Sequence, residues 1–226
     1  MYAGFSDLLD GWIARRWKLQ TVVGSVIDPM ADKFLMTTLV TCLAINGSLS
    51  LPLATLILGR DVSLAIAAIY FRYASLPAPK TFARYWDFSL PSAEVHPTTI
   101  SKLNTFLQLG LIGTTMSVAL LHDPSAVASS AGGLLLSMQD SLGGPEGVAK
   151  LKDAMSGVVA ATTAYSGLSY VWTKSAVKIL GDDEVLKRKQ GFRGRMIIAG
   201  TFGSVVALAA GLWWKELQNK GEEAQT

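Results

Sequence analysis

The chain begins with an acidic stretch, Asp7-Leu8-Leu9-Asp10-Gly11-Trp12-Ile13-Ala14-Arg15, followed after eight residues by Gly24, Asp28 and Asp32. Written as a pattern, this stretch is D-x2-D-G-x2-A-R-x8-G-x3-D-x3-D. It gathers four carboxylates near the start of a chain in which 50% of the residues are hydrophobic. Carboxylates crowded in apolar surroundings repel one another unless cations neutralise them, so the pattern favours bound divalent cations.

The composition is typical of an integral membrane protein. Of the 226 residues, 16% are charged, against about 25% in a typical soluble domain. The single cysteine, Cys42, excludes a disulfide framework, and His96 and His122 have no neighbours that would complete a zinc site. We expect one membrane domain over residues 1–215 and a polar tail over 216–226.

Five apolar stretches are candidate membrane spans, each of which needs about 20 residues to cross a bilayer. The first extends back to Thr21, which places Gly24, Asp28 and Asp32 on one helix. Residues 2–17 are also helix-like but too short to cross a membrane alone. We therefore predict an all-α, polytopic membrane helix bundle of six-helix type with a shortened N-terminal part. The predicted spans are Phe34–Leu49, Leu51–Phe71, Leu103–Leu121, Met155–Trp172 and Met196–Trp214.

The loops between these spans differ in charge. If the helices alternate in direction, 14 of the 20 Lys and Arg residues fall on one side of the bundle. The positive-inside rule makes this the inner side, on which the acidic motif opens. Asn46-Gly47 and Pro52 predict a tight turn between the first two spans. On the outer side we predict a loop over residues 122–154, whose Gly-, Ser- and Ala-rich part, His122–Gly147, is flexible or partly interfacial.

Helical spacing brings the four carboxylates into two groups. Residues at i, i+3 or i+4, and i+7 or i+8 share one face of a helix, and a polar turn over 15–21 would pair the two faces. Ligands that are all oxygen favour Mg²⁺ or Mn²⁺, and two such ions suit an in-line displacement at phosphorus. The first face carries Asp7, Asp10, Gly11 and Ala14, and the second carries Gly24, Asp28 and Asp32.

Two other interpretations of the carboxylates stay open. They could form a buried acid cluster paired with Arg15, Arg16 and Lys33, or line a cation-transport pathway. Neither accounts for the small residues Gly11, Ala14 and Gly24, which leave room for a nucleotide or pyrophosphate against the helices.

The acidic pattern resembles the signature of the CDP-alcohol phosphotransferase family, and every fixed position of that signature is met. Other segments resemble the eukaryotic, mitochondrial-type cardiolipin synthases, a branch of that family. The resemblance extends from Tyr2 to about Gln108 and is mainly hydropathic beyond. The segments that carry it are Leu58–Asp61, Ser75–Thr81, Arg84–Ser89 and Pro97–Thr105.

The resemblance implies a reaction of CDP-diacylglycerol with phosphatidylglycerol that yields cardiolipin and CMP. A phosphatidylglycerophosphate synthase, which uses glycerol 3-phosphate as acceptor, is the alternative enzyme. A non-catalytic membrane bundle is the alternative from another class. The implied roles are binding of two divalent ions by Asp7, Asp10, Asp28 and Asp32, base catalysis by Asp32, and binding of CDP by Gly11, Ala14, Arg15 and Gly24.

Two basic residues are candidates for the acceptor phosphate. Arg60 lies inside an apolar span beside Asp61, which suggests either a cation for that phosphate or an ion pair that fixes helix packing. Lys102 lies at the start of a predicted helix that begins near Pro97 and points to the same phosphate. Further polar residues on that helix are Asn104, Thr105 and Gln108. A separate basic group could meet anionic head groups at the membrane surface: Arg72, Lys80 and Arg84.

The family usually carries an amphipathic segment, a first span and most of a second span before this motif. Here six residues precede Asp7, so the packing around Asp7 and Asp10 is expected to differ from the family pattern. The resemblance implies a multi-pass protein of the mitochondrial inner membrane with its active site facing the matrix. It also implies a homodimer with lipid substrates, and we expect no nucleic-acid partner.

Overall fold

The computed structural model describes residues 22–76, 79–87, 94–95, 98–173, 177–178 and 184–223, with the backbone alone for 22–29, 94–95, 125, 130–131, 177–178, 220 and 223. This part is almost entirely helical, which confirms the predicted all-α class. The predicted helix over residues 2–17 lies outside the described residues. The elements are α1 (Val22–Ile45), α2 (Leu51–Ser75), α3 (Phe82–Tyr85), β1 (Glu94–Val95), α4 (Thr99–Leu121), α5 (Pro124–Val127), α6 (Ser130–Ser141), α7 (Gly144–Trp172), β2 (Val177–Lys178) and α8 (Glu184–Glu223).

The chain divides into two compact units, residues 1–39 and 40–226, and the boundary falls within α1. In the first unit, α1 exposes large apolar side chains, including those of Met30 and Phe34. At the end of α1, in the second unit, Gly47 has a φ of 67°, a left-handed conformation that glycine adopts without steric cost. The predicted turn between the first two spans is therefore confirmed.

The core of the second unit lies between α2, α7 and α8. Phe71 on α2, Tyr170 on α7 and Phe202 on α8 are buried in one apolar cluster. Two glycines let these helices approach closely, because a Cβ at Gly167 would overlap the ring of Phe202 and a Cβ at Gly194 would overlap the ring of Phe71. Aromatic rings therefore fill the space that the missing side chains leave.

Two contacts show that the helices of the second unit alternate in direction. At one end, Glu94 and Val95 of β1 pair antiparallel with Lys178 and Val177 of β2, which joins the loops after α2 and after α7. At the other end, the ammonium group of Lys152 donates to the carbonyl oxygen of Ser48 across 3.3 Å. The two basic loops thus lie at the same end, as the charge pattern predicts, and their orientation in a membrane stays a prediction.

Of the helices in the described ranges, three are long and apolar enough to cross a membrane, namely α2, α4 and most of α8. The other two predicted spans form the helices α1 and α7 but do not meet this composition. In α1 the charges of Asp28, Asp32 and Lys33 lower the hydropathy, and in α7 a series of Ser and Thr residues does so. Their assignment as spans stays a prediction.

Residues 122–154, predicted as a loop with a flexible or partly interfacial part over His122–Gly147, are mostly helical, and their position on the outer side stays a prediction. This segment contains α5, α6 and the first part of α7. The Leu, Met and Gln residues of α6 are good helix formers. Glycine marks the end of that helix, since Gly143 lies just beyond its C-cap with a φ of 89°, and Gly144, with a φ of 77°, begins α7.

The last helix is longer than its predicted apolar stretch. At 40 residues, α8 is about 60 Å long, which is twice the thickness of a bilayer's hydrocarbon core. The predicted polar tail over 216–226 therefore begins as part of this helix. The Lys, Arg, Glu and Gln residues at its two ends keep it helical because they have high helix propensity.

Candidate functional site

The carboxylates of the acidic motif lie on α1 as far as the structure describes them. Positions 24, 28 and 32 fall on consecutive turns of α1, so Gly24, Asp28 and Asp32 share one face, as the spacing predicts. The side chain of Asp32 is exposed, whereas that of Asp28 lies outside the description. The remaining predicted residues of the motif lie outside the described residues: Asp7, Asp10, Gly11, Ala14 and Arg15.

The described residues contain no group of three or more His, Cys, Asp or Glu side chains that could hold a metal ion. Three carboxylates of the predicted site, those of Asp7, Asp10 and Asp28, lie outside that search, and position 28 is one turn from Asp32 along α1. Carboxylate oxygens at this spacing are the ligands that hard divalent cations prefer. The chemistry and spacing of Asp28 and Asp32 therefore fit a shared cation.

A second polar group is buried between α2, α4 and α7. We call it the polar seam, and it consists of one arginine, two amides and three hydroxyls inside helices that are otherwise apolar. Each member is at least 93% buried. The polar seam comprises Arg60, Ser101, Asn104, Gln108, Thr163 and Ser166.

Arg60 joins the three helices of the polar seam. Its guanidinium donates from Nη1 to Oδ1 of Asp61 across 2.7 Å, and the two residues form an ion pair. Its Nη2 donates to the hydroxyl of Ser101 on α4 and, across 3.1 Å, to the hydroxyl of Ser166 on α7. The ion pair that the sequence suggested is therefore present, and it links the helices through the two serines.

Asn104 lies one turn along α4 from Ser101 and faces α7. Its Oδ1 accepts a hydrogen bond from the hydroxyl of Thr163 across 2.9 Å. The hydroxyl of Thr163 in turn accepts from Nε2 of Gln108 across 3.2 Å. Because Gln108 supplies the proton at Thr163, the hydroxyl hydrogen of Thr163 is directed at Asn104, which fixes the orientation of the Asn104 amide.

Two buried nitrogen atoms of the polar seam have no hydrogen-bond partner among the described residues. Within the part of the chain that the structure describes, neither Nε of Arg60 nor Nδ2 of Asn104 has a hydrogen-bond partner. A buried donor without a partner costs about 1–3 kcal/mol. Both atoms are N–H donors, so they are suited to a ligand that presents acceptor oxygens.

The other basic residues have different surroundings. Lys102 is exposed on α4, so the structure does not bring it into the polar seam beside Arg60. The Nε of Arg72 donates to the carbonyl oxygen of Tyr85 across 2.9 Å, which ties the end of α2 to α3. The ammonium of Lys80 donates to carbonyl oxygens at the C-terminus of α2, where a cation is favoured. Arg72 and Lys80 therefore hold the loop after α2.

The sequence reasoning missed the serines and threonines of the polar seam. Thr163, Ser166 and Ser169 recur every three residues and are all buried in α7. That period marks one polar face on an otherwise apolar helix and could have been read from the sequence. Their partners on α2 and α4 could not, because those contacts join residues far apart in the chain.

Comparison with known proteins assigns the family. The family model described as CDP-alcohol phosphatidyltransferase matches residues 1–138, which is more than half of the chain, so this chain belongs to that family. The acidic motif, α2 and α4 lie within the matched range, and α7 and α8 lie outside it. No solved structure matches the chain with significance.

Three relatives carry the name cardiolipin synthase (CMP-forming). A Schizosaccharomyces pombe protein named cardiolipin synthase (CMP-forming) / mitochondrial hydrolase fusion protein is 52% identical over 130 residues, 58% of this chain and 22% of the relative. A probable cardiolipin synthase (CMP-forming) of Drosophila melanogaster is 48% identical over 116 residues, 51% of this chain and 36% of the relative. The human cardiolipin synthase (CMP-forming) is 41% identical over 121 residues, 53% of this chain and 40% of the relative.

The matched part is therefore well under half of each of these relatives. Relatives named as CDP-diacylglycerol–glycerol-3-phosphate 3-phosphatidyltransferases are more distant. The family assignment rests on residues 1–138. The activity, substrates and partners of this chain are therefore proposals.

Proposed function

We propose that this chain is a CMP-forming cardiolipin synthase, which transfers the phosphatidyl group of CDP-diacylglycerol to phosphatidylglycerol. The observation that carries the proposal is the complete acidic signature within the family-matched residues 1–138. The chain is also 41–52% identical, over 116–130 residues, to three proteins of that name. The buried, positively charged Arg60 adds support, because it offers an acceptor lipid a phosphate-binding group inside a candidate membrane span.

In this proposal the acidic motif supplies the metal site and the base. Asp7, Asp10, Asp28 and Asp32 would hold two divalent cations, Mg²⁺ or Mn²⁺, which when bound neutralise the charge of the donor pyrophosphate. Asp32, whose side chain is exposed and accessible, takes the proton from the terminal glycerol hydroxyl of phosphatidylglycerol. That oxygen forms a bond to the phosphorus nearest the diacylglycerol, and the bond from this phosphorus to CMP breaks.

Other residues bind and orient the two lipids. Arg60 binds the phosphate of phosphatidylglycerol, and Lys102, exposed at the start of α4, attracts the same anionic head group. Binding both substrates in a reactive orientation supplies much of the rate enhancement in such transfers. The small or basic residues of the acidic motif bind the CDP moiety of the donor: Gly11, Ala14, Arg15 and Gly24.

The proposal also covers the setting of the reaction. We place the protein in the mitochondrial inner membrane with its acidic motif on the matrix side, and we expect a homodimer. The family resemblance supports these assignments, and the three apolar helices long enough to span a membrane support a location in a membrane.

The test is identification of the product. Purified chain is incubated with CDP-diacylglycerol, Mn²⁺ and phosphatidylglycerol of defined acyl chains, and the lipids are analysed by mass spectrometry. We expect cardiolipin with the mass of both diacylglycerol parts, and none from Asp32→Asn. A matched control is Asp153→Asn, because Asp153 is exposed on α7 outside the acidic motif. Cardiolipin formation by Asp32→Asn at the rate of the control would refute the role of Asp32.

A further inference from the structure

The hydrogen bonds around Asn104 fix which end of its side-chain amide is the oxygen and which is the nitrogen. Asn104 is fully buried, and its Oδ1 is occupied by the hydroxyl of Thr163 across 2.9 Å. The bond from Gln108 to Thr163 holds that arrangement in place. Nδ2 is then the end of the amide that lacks a partner among the described residues. A ligand for this atom must offer a hydrogen-bond acceptor.

The depth of Asn104 indicates which acceptor this is. Ser101, which contacts Arg60, lies in the first turn of α4. Asn104 lies three residues further along this candidate span, about 4.5 Å deeper. The interfacial layer of a bilayer, from the phosphates to the hydrocarbon, is about 5–8 Å thick. A phospholipid whose phosphate lies at Arg60 therefore has its ester carbonyls near the depth of Asn104.

The chemistry of Arg60 and Asn104 agrees with a phosphate at the first residue and an ester carbonyl at the second. The guanidinium of Arg60 carries a charge and suits a phosphate, whereas the Asn104 amide is neutral and suits a neutral carbonyl oxygen. An ester carbonyl accepts hydrogen bonds and donates none. It would therefore satisfy Nδ2 of Asn104 without leaving a new donor unpaired.

We infer that Asn104 donates from Nδ2 to an acyl-ester carbonyl of the acceptor phospholipid whose phosphate is bound at Arg60. This inference rests on the proposed function for the role of Arg60 and adds the group that selects a diacylated acceptor. Glycerol 3-phosphate has a phosphate for Arg60 and no ester for Asn104. The polar seam would then distinguish a lipid acceptor from that water-soluble one.

The test compares phosphatidylglycerol with its dialkyl ether analogue, which keeps the phosphate and glycerol but lacks both carbonyls. Affinity is measured by titrating each lipid into the detergent-solubilised chain and following tryptophan fluorescence. Loss of one buried hydrogen bond predicts that the ester lipid binds about 5- to 10-fold more tightly than the ether lipid. In a turnover assay, we expect a similar ratio of KM values for the two acceptors.

Two substitutions of Asn104 test whether this residue causes the preference for the ester lipid. Asn104→Asp keeps an oxygen for Thr163 and loses the Nδ2 donor, and Asn104→Leu removes the donor without adding charge. We expect the ester-to-ether ratio to fall to about 1 in both, since any general loss of affinity affects the two lipids alike. The control is Thr115→Val, because Thr115 is buried further along α4 and its hydroxyl bonds to the carbonyl of Leu111. That variant should keep the preference of the original chain.

Separate outcomes bear on the inference and on the proposed function. Equal affinity of the original chain for the ester and ether forms of phosphatidylglycerol would overturn the inference, and it needs no variant to fold. A preference found for ester over ether CDP-diacylglycerol, and not for the acceptor, would overturn it as well. Ester preference in binding with no CMP release from any acceptor would refute the proposed function and leave the recognition of the ester standing.

Discussion

The contacts of Arg60 predict a large effect of the substitution Arg60→Lys on stability. Arg60 donates to the carboxylate of Asp61 and to the hydroxyls of Ser101 and Ser166, which belong to three helices. Lysine keeps the charge but lacks the planar, forked group of donors, so we expect it to keep Asp61 and lose both hydroxyls. At about 1.5 kcal/mol for each hydrogen bond to a charged group, the unfolding free energy falls by about 3 kcal/mol.

For a chain of this size, that loss corresponds to a fall in Tm of about 6–12 °C. The assay is thermal unfolding in detergent micelles, followed by the fluorescence of the six tryptophans. Arg188→Lys is the matched control, because Arg188 is exposed on α8, and it should change stability by no more than about 0.5 kcal/mol. If Arg60→Lys and the control had the same Tm, the contacts of Arg60 with α4 and α7 would not stabilise the fold, and the reasoning would be refuted.

Three further predictions address packing, catalysis and metal dependence. Gly194→Ala should lower the unfolding free energy by about 1–3 kcal/mol, because the new Cβ overlaps the buried ring of Phe71. Gly200→Ala on the same helix meets open space and should stabilise by up to about 1 kcal/mol through helix propensity; equal melting of the two variants would contradict the packing. Asp32→Asn should reduce kcat by about 10²–10⁴ with an unchanged melting curve, since the side chain is exposed, and a loss of folding instead would point to a structural role. Chelation of divalent ions should stop CMP release and added Mn²⁺ should restore it, so turnover that persists in excess chelator would exclude a metal-dependent mechanism.

Local features of the fold could be predicted from the sequence. The helix that carries Asp28 and Asp32, and the turn at Gly47, follow from apolar runs interrupted by turn residues. The sequence does not predict the helix α6, because a segment rich in Gly, Ser and Ala favours a loop. In the structure Gly143 precedes α7 and Gly144 begins it, and the left-handed conformation of both residues marks the boundary between α6 and α7.

The polar seam could be predicted only in part. Arg60, Asn104 and Gln108 are conspicuous as polar residues inside apolar stretches. Their partners Ser166 and Thr163 are small hydroxyl residues, which are common in membrane helices and carry no distinct signal singly. The contacts with α7 also join residues 106 and 59 positions apart. Such contacts depend on how the helices pack, and the pattern of one helix does not determine that.

For the acidic motif, the sequence is more informative than the structure. Its pattern identified the family without any structure, and the family model confirms that assignment over residues 1–138. The roles of its individual residues stay predictions, because most of the motif lies outside the described part of the chain.

The central claim is that this chain transfers a phosphatidyl group to a lipid acceptor. The most direct test is CMP release by the purified chain from CDP-diacylglycerol with Mg²⁺ or Mn²⁺, in micelles with phosphatidylglycerol, with glycerol 3-phosphate, or with neither. We predict a metal-dependent signal that requires phosphatidylglycerol. A signal with glycerol 3-phosphate and none with phosphatidylglycerol would contradict the claim and identify the alternative synthase.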